Sequence, residues 1–245
     1  MKYIAGPCTW HNNDELENDL ESLLKIFQNE EFYFKSSWLK DNRSSYNGYR
    51  GPGEKGIEVL LKLKEKYNVN ICTDFHDAQM INKWGMNFDI IQIPAFLSKQ
   101  TTILEAAAKT GKLINIKKAQ WLKPLEMAGA VDKVKNINKD SKVIVMDRGT
   151  YGIHDNLYMD PRHVSEFREN TNADYIGVDL THPTKNSLNR GNNTLQDAAI
   201  LGTSYIMSGA SVIFMEATNT RDTAKCDGDV MLSIQEVKLL KEVID

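Results

Sequence analysis

Short apolar, β-branched runs recur along the chain at Tyr3 (YIAGP), Phe32 (FYFKS), Val69 (VNICTDF), Asp89 (DIIQIPA), Leu113 (LINIKK), Val143 (VIVMDRG), Tyr175 (YIGVDLT) and Val212 (VIFMEA). Each run is nearly continuous rather than alternating, which predicts parallel strands covered on both faces. Between them the pattern shifts to a helical period. Leu16, Leu20, Leu23, Leu24 and Phe27 share one face of a helix that Asn13 or Asp14 is placed to cap. A final amphipathic segment, from about Ser233 to Val243, closes the series.

Eight strand-then-helix units with no Pro/Gly-rich linker predict an α/β fold, a single (β/α)8 TIM barrel forming one domain over residues 1–245. A doubly wound open sheet is the alternative, but no glycine fingerprint follows the first strand. The longest irregular stretches, about 38–54, 147–163, 182–195 and 217–231, each follow a strand's C-terminal end. Barrel enzymes build their active sites there.

Composition narrows the partners. With 41% hydrophobic and 26% charged residues the chain reads as an ordinary soluble protein. A formal net charge of −3 gives no reason to expect nucleic acid or an anionic membrane surface as the main partner. No apolar run approaches the roughly 20 residues that span a bilayer. The start, MKYIAGPCTW, lacks a signal-peptide pattern, and three scattered cysteines are too few for a disulfide framework, so a cytoplasmic setting is expected.

Against that mildly acidic background, KSSWLKDNRSSYNGYRGPG at 35–53 gathers Lys35, Lys40, Arg43 and Arg50 among hydroxyl and glycine residues. Cations so concentrated suggest a local anion site. The predicted strand ends add Cys8, Asp74 with His76, Lys117 with Lys118, Arg148, His182 and Glu216. A barrel brings all of these to one mouth. The cationic subset (Lys35, Lys40, Arg43, Lys118, Arg148) exceeds what one monophosphate needs, so two anionic substrates, or one with carboxylate and phosphate, fit better. Lys117 and Lys118 must face opposite ways on a strand, so one of them reaches a ligand. Cys8, His182, Glu216 and Asp227 offer the thiol, imidazole and carboxylates that suit Zn²⁺, Mn²⁺ or Fe²⁺, without any tight ligand spacing.

These residues resemble the 3-deoxy-D-manno-octulosonate 8-phosphate synthases. The shared motifs are IAGPC at 4–8, KSSWLKDNRSS at 35–45, YRGPG at 49–53, TDFHD at 73–77, IQIPAFLSKQT at 91–101, AAAKTG at 106–111, NIKKAQWL at 115–122, DRG at 147–149, DNL at 155–157, THP at 181–183 and CDG at 226–228. The most specific is K-x-N-R-S-S at Lys40–Ser45; the related 3-deoxy-heptulosonate 7-phosphate synthases carry a KPRTS-type segment there. The resemblance implies condensation of phosphoenolpyruvate with arabinose 5-phosphate, releasing inorganic phosphate, for surface polysaccharide synthesis. It implies a phosphoenolpyruvate pocket of Lys35, Ser37, Lys40, Gln100, Lys118 and Arg148, and a sugar-phosphate clamp of Asn42, Arg43 and Ser44. Asp74 and His76 would line the space between, with Lys118 as proton carrier or as a purely electrostatic group. Cys8, His182, Glu216 and Asp227 resemble the metal set of the metal-dependent members, and the family's tetramers imply a homotetramer.

The chain departs from the family in three places. Cys8 matches the metal-dependent branch, whereas Cys226 before Asp227 matches the metal-independent one. After His182 the chain reads PTKNSLNRGNNT in place of the usual sugar-covering loop. After Arg148 it reads GTYGIHDNL, without the usual F-G-Y. Another acceptor such as erythrose 4-phosphate, or a barrel that only binds phosphosugars, are therefore the competing expectations.

Overall fold

The computed structural model describes residues 1–42, 45–152, 157–184 and 194–245. In chain order its strands are β1 (Lys2–Gly6), β2 (Glu31–Lys35), β3 (Asn70–Asp74), β4 (Ile90–Ile93), β5 (Leu113–Lys117), β6 (Val143–Asp147), β7 (Thr150–Tyr151), β8 (Leu157–Tyr158), β9 (Tyr175–Asp179) and β10 (Val212–Glu216). Eight of them close a ring in the order β1-β10-β9-β6-β5-β4-β3-β2. Every pairing in that ring is parallel. The ring is the expected barrel, and its closure rules out the open sheet. The remaining two, β7 and β8, pair antiparallel within the stretch read from sequence as wholly irregular.

The helices are α1 (Asn13–Ile26), α2 (Glu54–Tyr67), α3 (Ala78–Trp84), α4 (Thr101–Lys109), α5 (Met127–Ile137), α6 (His163–Asn170), α7 (Thr194–Met207) and α8 (Ile234–Ile244). On α1, Leu16, Leu20 and Leu23 are buried as their spacing requires. Its cap, however, is Asn12, whose side chain accepts from the Asp14 amide, so the helix starts earlier than an Asn13 or Asp14 cap would allow. Ser233 and Glu236 cap α8 reciprocally. Among the described residues no helix is long and apolar enough to cross a membrane.

Two cores result from the strand pleat. Outward residues pack against the helices, with Leu20, Ile57, Leu60, Ile103, Val131 and Val237 fully buried there. Inside the ring, Ile4, Cys72, Ile90, Ile144, Met146, Val212 and Phe214 form an apolar plug. Two residues on, with the period of a strand, the same inward faces present Asp74, Gln92, Arg148 and Glu216 instead. The plug is thus a dry floor under a polar layer at the strands' C-terminal ends.

Gly6 makes the junction of β1 and β2 possible. Its φ is +150°, and a Cβ there would lie 2.2 Å from the Lys35 carbonyl oxygen. Gly6→Ala is expected to cost about 2–6 kcal/mol, combining backbone strain with a clash that no side-chain rotation relieves. Urea denaturation reads this directly; an unchanged midpoint would contradict the close approach.

Candidate active site

Lys40, Asn42, Asp74, Gln92, Phe96, Lys117, Arg148, His182 and Glu216 surround a cavity at that mouth. Lys35 ends β2 just beneath it, fully buried, and donates to Glu216 Oε1 (2.6 Å) and to the Cys8 carbonyl (3.2 Å). Lys40 is also buried. Asp74 receives bonds on both oxygens, from Ser37 Oγ and from Gln92 Nε2 (2.6 Å), and Asn115 Nδ2 in turn donates to Gln92 Oε1 (2.8 Å). Burial would raise the Asp74 carboxyl, yet Lys35 and Lys40 hold it well below the usual carboxylate range. A fixed carboxylate is therefore held among cations.

Among the described residues several polar atoms are buried without a hydrogen-bond partner: both ring nitrogens of His76, Arg148 Nη1, Gln120 Oε1 and Glu216 Oε2. Buried groups left unpaired in this way are costly unless a ligand completes them. Burial lowers the His76 pKa below its ordinary value, so the ring is neutral at pH 7.

The lysine pair separates as strand parity requires, but in the opposite sense to the resemblance. Lys117 shares the inward face of β5 with Asn115; its ammonium lies 3.4 Å from the centroid of the Phe214 ring and 3.0 Å from Asp179 Oδ2. Burial lowers the Lys117 pKa against the pull of Asp179 and Glu216. Lys118 points out of the barrel. Its ammonium donates to the carbonyls of Gly149 (2.8 Å), Leu122 (3.3 Å) and Ala119 (3.4 Å) and to Thr150 Oγ1 (3.1 Å), and lies 3.8 Å from Asp147 Oδ1. Beyond it Asp147 bonds His163 and Tyr205. Lys118 thus braces the β5 and β6 loops and is not among the described residues that line this cavity.

Other expected residues also fall differently. Gln100 is exposed at the start of α4, away from the cavity; the glutamine that lines it is Gln92, on the inward face of β4. Ser37 is buried with its hydroxyl committed to Asp74. Asn42 stands exposed on the rim. Arg43 and Ser44, and the variant loop after His182 at 185–193, lie outside the described residues.

The four expected metal ligands, joined by Cys226, fall in two triads that share Asp227: Cys8, Cys226 and Asp227, and His182, Glu216 and Asp227, each with donor atoms within 4.8 Å of one another. Asp179 orders the second. Its Oδ2 accepts from His182 Nδ1 (2.7 Å), and its Oδ1 from the Thr181 and His182 amides and Thr181 Oγ1 (each 3.1 Å). With its proton on Nδ1, His182 turns the Nε2 lone pair toward Glu216 Oε2, 3.9 Å away. In the first triad Cys8 Sγ is 3.0 Å from Asp227 Oδ2. The bond with Cys226, and burial, push the Cys8 thiol well above its ordinary value. Thiol, imidazole and two carboxylates around an orphaned Glu216 oxygen fit a divalent transition ion.

Asp179 and Gln92 were not singled out in the sequence. The signal was there: each is a polar residue on the inward parity of a strand that is otherwise apolar.

A closed parallel barrel with cations, a fixed carboxylate and soft-to-hard metal donors at its C-terminal mouth defines a (β/α)8 enzyme that handles anionic substrates. Comparison with known proteins narrows the class. The DAHP synthetase I family matches over residues 1–245. A 2-dehydro-3-deoxyphosphooctonate aldolase of Fusobacterium nucleatum is 36% identical, over 99% of this chain and 88% of the relative. The protein of that name from Syntrophotalea carbinolica is 36% identical over 98% and 88%, and one from Haemophilus influenzae 36% over 84% and 74%. The chain belongs to the DAHP synthetase I family, within its 3-deoxy-D-manno-octulosonate 8-phosphate synthase branch.

Proposed function

We propose that this enzyme condenses phosphoenolpyruvate with D-arabinose 5-phosphate and water, giving 3-deoxy-D-manno-octulosonate 8-phosphate and inorganic phosphate. Carbon three of phosphoenolpyruvate bonds to the aldehyde carbon, the oxygen of water adds to carbon two, and the carbon-two–oxygen bond to phosphate breaks. The observation that carries this reading is the cavity walled by Lys40, Lys117 and Arg148 beside Asp74, Gln92 and His182, in a chain of this family.

Lys117, Lys40 and Arg148 take the phosphate and carboxylate of phosphoenolpyruvate, with Lys35 adding positive potential from below. Lys117 takes this role in place of Lys118, since of the two it is Lys117 that lines the cavity among the described residues. Asn42, with Arg43 and Ser44 of the same segment, takes the sugar phosphate. Holding two anions in attack geometry and offsetting their repulsion is chiefly positioning and electrostatics. Neutral His76, with both nitrogens free and Asp74 nearby, moves a proton to the aldehyde oxygen or from the water. Cys8, His182, Glu216 and Asp227 hold a divalent cation, Zn²⁺, Fe²⁺ or Mn²⁺. When bound it supplies Lewis-acid polarisation of a carbonyl or water oxygen. The whole chain acts as one catalytic domain in the cytoplasm, assembled as a homotetramer and supplying surface polysaccharide synthesis.

The variant sequence at 183–194 favours one second reading, the same chemistry on a shorter acceptor such as erythrose 4-phosphate. The test is phosphate release and 3-deoxy-ulosonate formation, measured together, with arabinose 5-phosphate and erythrose 4-phosphate in parallel. Stoichiometric products with arabinose 5-phosphate, at a kcat/KM at least about tenfold higher than with the shorter sugar, are expected. The reverse ratio would select the second reading, and binding without turnover on any aldose phosphate would defeat both.

A further inference from the structure

We propose that Cys226 is a second sulfur donor to the cation at the barrel mouth, making this a two-thiol site. The inference rests on the metal reading above and extends it to a residue outside the expected ligand set.

Three distances carry it. Cys226 Sγ lies 3.5 Å from Cys8 Sγ, and the two sulfurs lie 3.1 and 3.0 Å from the same oxygen, Asp227 Oδ2. In a tetrahedral zinc site with Zn–S of about 2.3 Å and Zn–O of about 2.0 Å, the S···S edge is about 3.8 Å and the S···O edge about 3.5 Å. The three atoms therefore need only a few tenths of an ångström of expansion to become three corners around one ion. A disulfide would require the sulfurs to close to about 2.05 Å. The spacing is closer to that of two ligands than to that of a bonded pair.

The surroundings agree. Asp227 also belongs to the triad with His182 and Glu216, so an ion held by the thiols is also next to an imidazole and a second carboxylate. Glu216 Oε2 is buried and without a hydrogen-bond partner among the described residues. Negative charge gathered by two thiolates and two carboxylates is offset by Lys35, whose ammonium is 2.6 Å from Glu216 Oε1 and fully buried. The third cysteine, Cys72, belongs to neither triad; it sits in the barrel floor, with its thiol 3.9 Å from Gln92.

Two sulfurs shift the preference of the site toward Zn²⁺ and Cd²⁺ and away from Mn²⁺. Cys226 also stands where the metal-independent branch carries the same residue, so its presence beside Cys8 gives this chain a donor set that neither branch's pattern describes alone.

The experiment is cobalt substitution of the full chain, reading the near-ultraviolet thiolate-to-cobalt charge-transfer band. Wild type, Cys8→Ser, Cys226→Ser and the double variant are compared, each checked for fold by circular dichroism, with Cys226→Ala standing in should the serine variant not fold. Two equivalent sulfur donors predict that each single variant keeps about half the band and the double variant none. A full band in Cys226→Ser, with loss of the whole band in Cys8→Ser, would overturn the role of Cys226 and leave the metal reading intact. No charge-transfer band in cobalt-treated wild type would overturn both.

Discussion

Lys117→Met is expected to lower kcat/KM by roughly 10²–10³-fold, the usual cost of deleting one preorganised charge from such a site. Lys118→Met is expected to act mainly on stability, costing on the order of 3 kcal/mol. The two residues are adjacent, equally basic and both buried, so chemistry cannot distinguish them; direction does. Lys117 faces the cavity, and what it leaves behind, Asp179, keeps four other donors from Thr181 and His182. Its loss removes positive potential from the ligand while the wall stays standing. Lys118 fills a cage of three carbonyls and a hydroxyl beside Asp147, so methionine leaves buried acceptors and a buried carboxylate short of a partner. Steady-state kinetics with phosphoenolpyruvate varied, together with denaturant midpoints, separate the outcomes. If Lys117→Met stays within fivefold of the native enzyme while Lys118→Met loses chemistry at unchanged stability, the assignment of the pocket is reversed.

Removal of the metal is the second large effect. After exhaustive chelation turnover should fall to about 1% or less, and Zn²⁺, Fe²⁺ or Mn²⁺ should restore it, since Lewis-acid assistance is worth several kcal/mol of barrier. His182→Ala should bind the ion poorly and recover little. The pH dependence has a definite sign. The Cys8 thiol, raised by its bond to Cys226 and by burial, must lose its proton to bind, so apparent metal affinity falls as pH falls. Glu216 and Asp227 do not set that limit. Burial would raise their carboxyls, but Lys35 holds Glu216 low and Lys40 holds Asp227 low, so both stay ionised into acid. Full activity in chelator would point instead to a route in which the Cys226–Asp227 segment works without an ion.

Both predictions turn on facts that strand parity nearly disclosed. In LINIKK the apolar residues Ile114 and Ile116 alternate with Asn115 and Lys117, which already places Lys117 on the polar, inward face and Lys118 with the isoleucines. The same reading selects Gln92 on β4 over the loop residue Gln100, and Asp179 on β9 as the orienting partner of His182. Residue type and motif membership, used without parity, point to Lys118 and Gln100 instead.

The eight strands, their order and the helices between them were legible from the sequence, because apolar runs and helical periods are local signals that burial on both faces of a parallel strand imposes. The identity of the mouth was also legible, since polar residues at seven strand ends can converge only there. What the tertiary structure alone decided is which atoms meet across the ring. Lys35 pairs with Glu216 across a sequence separation of 181, and Cys8 and Cys226 lie 3.5 Å apart at opposite ends of the chain. Those encounters depend on barrel closure and on the backbone turn at Asp227, whose φ is +53°. Closure is a property of all eight strands together, so no local pattern encodes the distances it creates.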